Sequence, residues 1–137
     1  MKRIATAIWN GTIKEGKGNL TTQSTALNKT QYSFKSRFED GVGTNPEELI
    51  AAAHAGCFTM KLSLDLATAG FNPESLETTA TITLDEGVIT SSDLVLKAKI
   101  PGIKEAQFQQ IATVAKAECP VSKALNLKIR LKASLVN

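Results

Sequence analysis

The stretch that decides the fold is Gly43 to Phe58, "GTNPEELIAAAHAGCF". Thr44 or Asn45 supplies a side-chain oxygen for a helix N-cap, and Pro46 suits the first helical position. Glu47 and Glu48 then sit at the positive end of the helix dipole. The pattern runs on through "TMKLSLDLATAG" to Gly70, a natural stop. This predicts a helix of about 24 residues, against an average of about 11. Its first half is almost all small: Ala51, Ala52, Ala53, Ala55 and Gly56. Apolar positions surround most of the helix, which implies burial on several sides and close approach by another backbone. One chain of this size is short of material to cover such a helix. A dimer that packs two of them together is therefore the expectation.

Outward from the helix, the N-terminal side reads as strands and turns. "RIATAIWNG" ends in the turn signal Asn10-Gly11, and "EGKGNLTTQS" leads into a second strand. "QYSFKSRFEDG" alternates, with Tyr32, Phe34, Ser36 and Phe38 on one side, which predicts the third strand of a meander. On the C-terminal side, "SLETTATITLDEG" and "SSDLVLKAKIPG" alternate around a turn at Glu86-Gly87. "IKEAQFQQIATVAKAEC" has the helical period, with Phe108, Ile111 and Ala115 inward. "PVSKALN" restarts as a short helix on Pro120. "LKIRLKASLV" closes as a strand with Leu127, Ile129, Leu131, Ala133 and Leu135 inward. The order is βββ-α-ββ-α(α)-β, an α+β protein with antiparallel sheets and a single domain over residues 1–137.

The bulk numbers exclude several classes. The chain has 137 residues, 42% hydrophobic and 21% charged, which are globular values. No apolar run approaches the ~20 residues of a membrane span, and no long apolar region follows the basic start "MKR", where a strand is expected in place of a secretory signal. The expectation is a cytoplasmic protein without a membrane partner. The net charge is +3 with scattered cations. "KIRLK" puts Lys128, Arg130 and Lys132 on one strand face, read as a solvated face. Nucleic-acid binding would need clustered charge with interleaved aromatics, and aromatics make up only 5%.

The chemistry narrows to two thiols and an imidazole. Two cysteines in a short chain do not make a disulfide framework. Cys57 lies about three turns into the helix, and a buried, inert thiol is the plain reading of its position. His54 lies three residues earlier on the same face; it either lowers the thiol pKa or is simply packed. Cys119 sits between Glu118 and Pro120 at a helix break, as a cap residue or a reactive group. A metal site would need a carboxylate to complete Cys57, Cys119 and His54, and no finger-like spacing is present. The serine-hydrolase elbow, the P-loop and the dinucleotide fingerprint are absent.

"GTNPEELIAAAHAGCF" followed by "AECPVSKAL" resembles the OsmC/Ohr family of thiol-dependent hydroperoxide reductases, closer to its OsmC branch. The similarity extends to "WNGTIKEGKGNL", "FKSRFEDG" and "TTATITLDEG", nearly the whole chain. The resemblance implies an intertwined homodimer with two long central helices against two sheets. It implies reduction of organic hydroperoxides, and less efficiently of hydrogen peroxide, with regeneration by a dithiol of the lipoyl type and no cofactor or metal. Cys57 then matches the peroxidatic cysteine and Cys119 the resolving one. Arg37 matches the family's catalytic arginine, and Glu47 the glutamate that orients it.

The residue types suit that chemistry. A thiolate is the nucleophile, and an ordinary thiol, with a pKa of about 8.5, is mostly protonated at neutral pH. A guanidinium beside Cys57 would favour the thiolate, and Glu47 would hold Arg37 in place. Glu47 and Cys57 are ten positions apart, about 15 Å of rise on one helix. Each site is therefore expected to take Cys57 and Cys119 from one subunit and Arg37 with Glu47 from the other. Two other classes stay open: a redox-sensing or ligand-binding dimer without fast turnover, and a structural dimer with inert cysteines.

Overall fold

The structure, a computed structural model, describes residues 1–136. Its contacts group into two units, Met1–Leu49 and the chain from Ile50 onward.

In the first unit, β1 (Ala5–Asn10), β2 (Lys17–Thr22) and β3 (Thr30–Tyr32) form an antiparallel sheet in that order. Trp9, Gly18 and Tyr32 fall on one line across it. Gly18 is required there, because a Cβ would stand 2.5 Å from the Trp9 ring and 2.6 Å from that of Tyr32. The expected third strand is mostly a helix. Only Thr30–Tyr32 pairs, and Phe34–Phe38 is a short helix, α1. Alternation in "QYSFKSRF" was misleading because Ser33 and Ser36 form a reciprocal cap, each accepting from the other's backbone N–H at 3.2 and 2.7 Å. Phe34 and Phe38, four apart, then share a helix face with ring centroids 5.0 Å apart.

The long helix α2 (Pro46–Thr68) is unbroken. Asn45 is its N-cap: Oδ1 accepts from the Glu48 N–H at 2.8 Å, while Nδ2 donates to the Ser36 carbonyl at 2.9 Å. The C-terminus closes on Gly70 at φ +89. The Phe71 N–H reaches the Leu66 carbonyl at 2.9 Å and the Gly70 N–H that of Ala67 at 3.0 Å. That is a Schellman motif.

In the second unit, β4 (Ser75–Asp85) and β5 (Val88–Lys99) form a hairpin across Glu86-Gly87, both at positive φ as a type I′ turn needs. Next come α3 (Glu105–Glu118), α4 (Pro120–Ala124) and β6 (Lys128–Leu135). β6 pairs with β5 in parallel, so this sheet is mixed rather than antiparallel as expected. The reason is the connection: a helical crossover returns the chain in the same direction. The core joins Phe58, Leu62 and Leu66 of α2 to Leu94, Leu96, Ala98 and Ile100, and to Phe108, Ala112, Ala115 and Cys119. Burying a Phe or Leu side chain contributes about 1.5–3 kcal/mol.

Two features of α2 bear on the expectations for it. Within one chain it buries a single stripe, His54, Phe58, Leu62 and Leu66, so one chain leaves the helix partly uncovered. The opposite stripe, with Gly56, Met60 and Leu64, is open, and Met60 is 77% exposed. Also, α2 is long and apolar enough to cross a membrane by length and composition alone, a test that core helices of soluble proteins also pass. Glu47, Glu48, Lys61 and Asp65 hid this in the sequence, since they interrupt any continuous apolar run.

Candidate active site

The first unit brings two of the four expected residues together. Arg37, held on α1 by the Ser33 cap, lays its guanidinium along the Glu47 carboxylate. Nε and Nη2 donate to Oε1 at 3.0 and 2.8 Å, and Nε also reaches Oε2 at 3.3 Å. Glu47 can receive it because Pro46 starts α2 and leaves the Glu47 side chain in the first turn. The Glu47 side chain is 12% exposed and that of Arg37 38%. The guanidinium also lies 5.1 Å from the Phe38 ring centre. A fork held on two sides has little freedom left, and forming the paired geometry costs correspondingly little entropy. Beside it is a hollow of about 210 Å³ lined by Trp9, Ile13, Tyr32, Phe34, Phe38 and Pro46. It offers an apolar wall with one cationic edge.

The second unit brings the other two together. Cys57 on α2 is half-buried; Cys119 is fully buried; both are free thiols. Cys119 ends α3 and starts α4: its N–H donates to the Ala115 carbonyl at 3.0 Å, and its own carbonyl accepts from Lys123 at 3.1 Å. Pro120, at the first position of α4, sets that break. Cys57 packs against the cluster that holds Cys119, and the ionisation of one thiol bears on that of the other. Burial raises the Cys57 pKa, and the neighbouring Cys119 thiol adds to the rise. Burial acts upward on Cys119 too. It is outweighed by the neighbouring Cys57 thiol and by the polar groups of Val121 and Ser122 at the start of α4, so the Cys119 pKa is lowered. The two thiols are thereby pushed in opposite directions.

His54 is one turn before Cys57 and fully enclosed. Its Nδ1 lies 2.6 Å from Ser92 Oγ and its Nε2 2.8 Å from Ser122 Oγ. Burial holds the imidazole below its ordinary pKa of 6.5. Neither serine was legible as a partner. Ser92 carried one signal: it is a polar residue on the inward side of the "SDLVLKA" alternation. Ser122 carried another, three residues after Cys119. No cluster of three or more His, Cys, Asp and Glu side chains occurs among the described residues.

Comparison with known proteins gives the chain's relatives. Residues 38–134 match the family described as "OsmC-like protein". The chain is 49% identical over 133 residues to "Peroxiredoxin OsmC" of Escherichia coli K12, covering 94% of this chain and 93% of that one. It is 32% identical over 98 residues to "Organic hydroperoxide resistance protein OhrA" of Bacillus subtilis, covering 66% and 67%. Among solved structures, an OsmC-like protein from Mycoplasma pneumoniae superposes with a TM-score of 0.76 at 15% identity, over 100% of this chain and 99% of that one.

Proposed function

The chain belongs to the OsmC-like protein family, and from that premise we propose that it is a peroxidase that reduces organic hydroperoxides through a pair of cysteines. The observation that carries the reading is a pair of free thiols of unequal exposure gathered at one hydrophobic cluster. The half-buried Cys57 is the one a substrate reaches. Its thiolate attacks the outer peroxide oxygen, the O–O bond breaks, and the alkoxide takes a proton to leave as alcohol. Cys57 becomes a sulfenic acid. The Cys119 sulfur attacks the Cys57 sulfur, hydroxide leaves and takes the thiol's proton as water, and a disulfide remains. A dithiol, of the lipoyl type in our reading, returns both thiols by exchange.

Cys57 needs help, since its own surroundings disfavour the thiolate. Arg37 is the group we assign to that task, held by Glu47. On the unbroken α2, Glu47 and Cys57 are separated by about 15 Å of rise. We therefore assign Arg37 and Glu47 to the partner's side of each site in a homodimer. The open stripe of α2 around Gly56, Met60 and Leu64 supports that assembly. The hollow beside Arg37 favours an alkyl or aryl peroxide over hydrogen peroxide, because its rings bind carbon and not water.

The test is the intact mass of fully reduced protein before and after one equivalent of an organic hydroperoxide, with peptide mapping. Loss of two hydrogens per chain, mapped to a Cys57–Cys119 link, is expected within seconds. Unchanged mass with both thiols free would make the cysteines structural and end the proposal.

A further inference from the structure

Three side chains of α2 follow one another along a single face. Cys57, Lys61 and Asp65 are spaced four apart on an unbroken helix, which sets neighbouring Cβ atoms about 5–6 Å apart. The middle one is a cation that the steps above do not use. Lys61 Nζ donates to Asp65 Oδ1 at 2.5 Å. Asp65 Oδ2 is buried without a hydrogen-bond partner, so among the described residues Lys61 is what satisfies that carboxylate. A carboxylate so placed keeps its cation, because losing it would leave a buried charge unpaired. The pair takes one of the three N–H groups of the ammonium. A helical side chain leans toward the turn before its own, which for Lys61 is the turn of Cys57. Asp65 draws the ammonium the other way, in the weaker order of base before acid.

Resting on the reading of Cys57 as the attacking thiol, we propose that Lys61 is a same-chain cation for the Cys57 thiolate and that Asp65 restrains it. Arg37, as assigned above, comes to that sulfur from the partner. Lys61 is fixed to the same helix one turn away and is present in every chain. Its side chain is 25% exposed and that of Asp65 20%, so their charges are screened less than those of open surface groups. Asp65 is two turns from Cys57, about 12 Å along the axis, beyond the ~10 Å over which salt leaves exposed charges unscreened. It therefore acts on the thiol through Lys61, as a positioning residue that commits part of the ammonium charge elsewhere. Lys61 gives up no proton in this role, and the bond changes are those already written. The other groups near Cys57 bring no competing charge. His54 is held below its ordinary pKa by burial, so it is neutral where thiols titrate. Glu118 on α3 and Lys123 on α4 are exposed and paired with each other at 3.7 Å. Cys119, at the α3–α4 junction, is the remaining titratable group, and the test removes it.

Cys119→Ser leaves Cys57 as the sole thiol of this two-cysteine chain. Ultraviolet thiolate absorbance against pH then reads its ionisation directly. In that background Lys61→Met, which keeps the length of the side chain and removes its charge, is expected to move the titration to higher pH. About threefold less thiolate should remain at neutral pH. Lys61→Arg, which keeps the charge, is expected to leave the titration in place. Asp65→Asn is expected to move it to lower pH, and only while Lys61 is present. The Lys61→Met shift should shrink as salt is raised, which a lost packing contact would not do. An unshifted titration in Lys61→Met overturns the proposal, and so does an equal Asp65→Asn shift with and without Lys61. Lys61→Met leaves the Asp65 carboxylate unpaired and can melt early. The double variant Lys61→Met with Asp65→Asn, compared with Asp65→Asn alone, tests the same charge without that carboxylate. An unshifted titration there overturns the proposal equally. The titration uses no peroxide. A native chain that fails to oxidise at Cys57 would therefore sink the peroxidase reading and still leave the titration to judge Lys61.

Discussion

At the scale of single residues, environment rather than identity separates the reactive groups. Two cysteines with the same intrinsic acidity are pushed in opposite directions by their surroundings: burial raises the pKa of Cys57, while polar neighbours outweigh burial at Cys119. His54 follows the same logic in the opposite charge sense, since burial disfavours the protonated ring. Its pKa is lowered in the fold, so below pH 6.5 the unfolded chain binds more protons than the folded one. Stability is then expected to be level above that pH and to fall as the pH drops from it toward the lowered value. The midpoint of urea unfolding, followed from about pH 7 to pH 5.5, checks this. The native chain should lose more stability over that interval than His54→Gln, whose side chain does not titrate. Equal losses would show that the slope comes from elsewhere.

Elements in this protein are set by their ends. α1 exists because Ser33 and Ser36 satisfy each other's backbone groups; its five residues are far too few to hold as a helix by propensity. α2 is bounded by Asn45 and Gly70. At Gly70 a Cβ would meet nothing within 4 Å, so Gly70→Ala has no clash to relieve and only the left-handed backbone to oppose it. The substitution is expected to lower unfolding free energy by about 1 kcal/mol, the left-handed penalty less the entropy that alanine removes from the unfolded chain. Chemical denaturation measures it. A neutral result would mean that the helix ends equally well without the Schellman bonds.

For the whole molecule, the unanswered surface is the open stripe of α2. A Cβ at Gly56 meets nothing within 4 Å, so a large side chain there leaves the folding of one chain nearly untouched. If two such helices pack together, the same side chain lies between them. Gly56→Arg is therefore expected to keep the native circular dichroism but to sediment as a monomer where the native chain sediments as a dimer. Its hydroperoxide reduction should fall at least tenfold, because Arg37 would no longer reach the partner's Cys57. A Gly56→Arg chain that stays dimeric would move the interface away from this stripe.

What could be determined from the residues alone was whatever depends on neighbours along the chain. The caps of α2, its stop at Gly70, the Glu86-Gly87 turn and the inward faces of β5 and β6 follow from local chemistry with periods of two and 3.6. The motif pair around Cys57 and Cys119 was legible as a family resemblance for the same reason: its residues lie in two short, dense stretches. Tertiary structure decided the rest. α1 replaced most of a strand because the cap's hydrogen bonds outweighed an alternation of aromatics. β6 ran parallel to β5 because strand direction is fixed by how a crossover packs, which no local pattern encodes. The partners of His54 lie 38 and 68 positions away in sequence. Hydrogen bonds over such separations exist only after the core has closed, since the ring gains its serines in the same step in which it loses water.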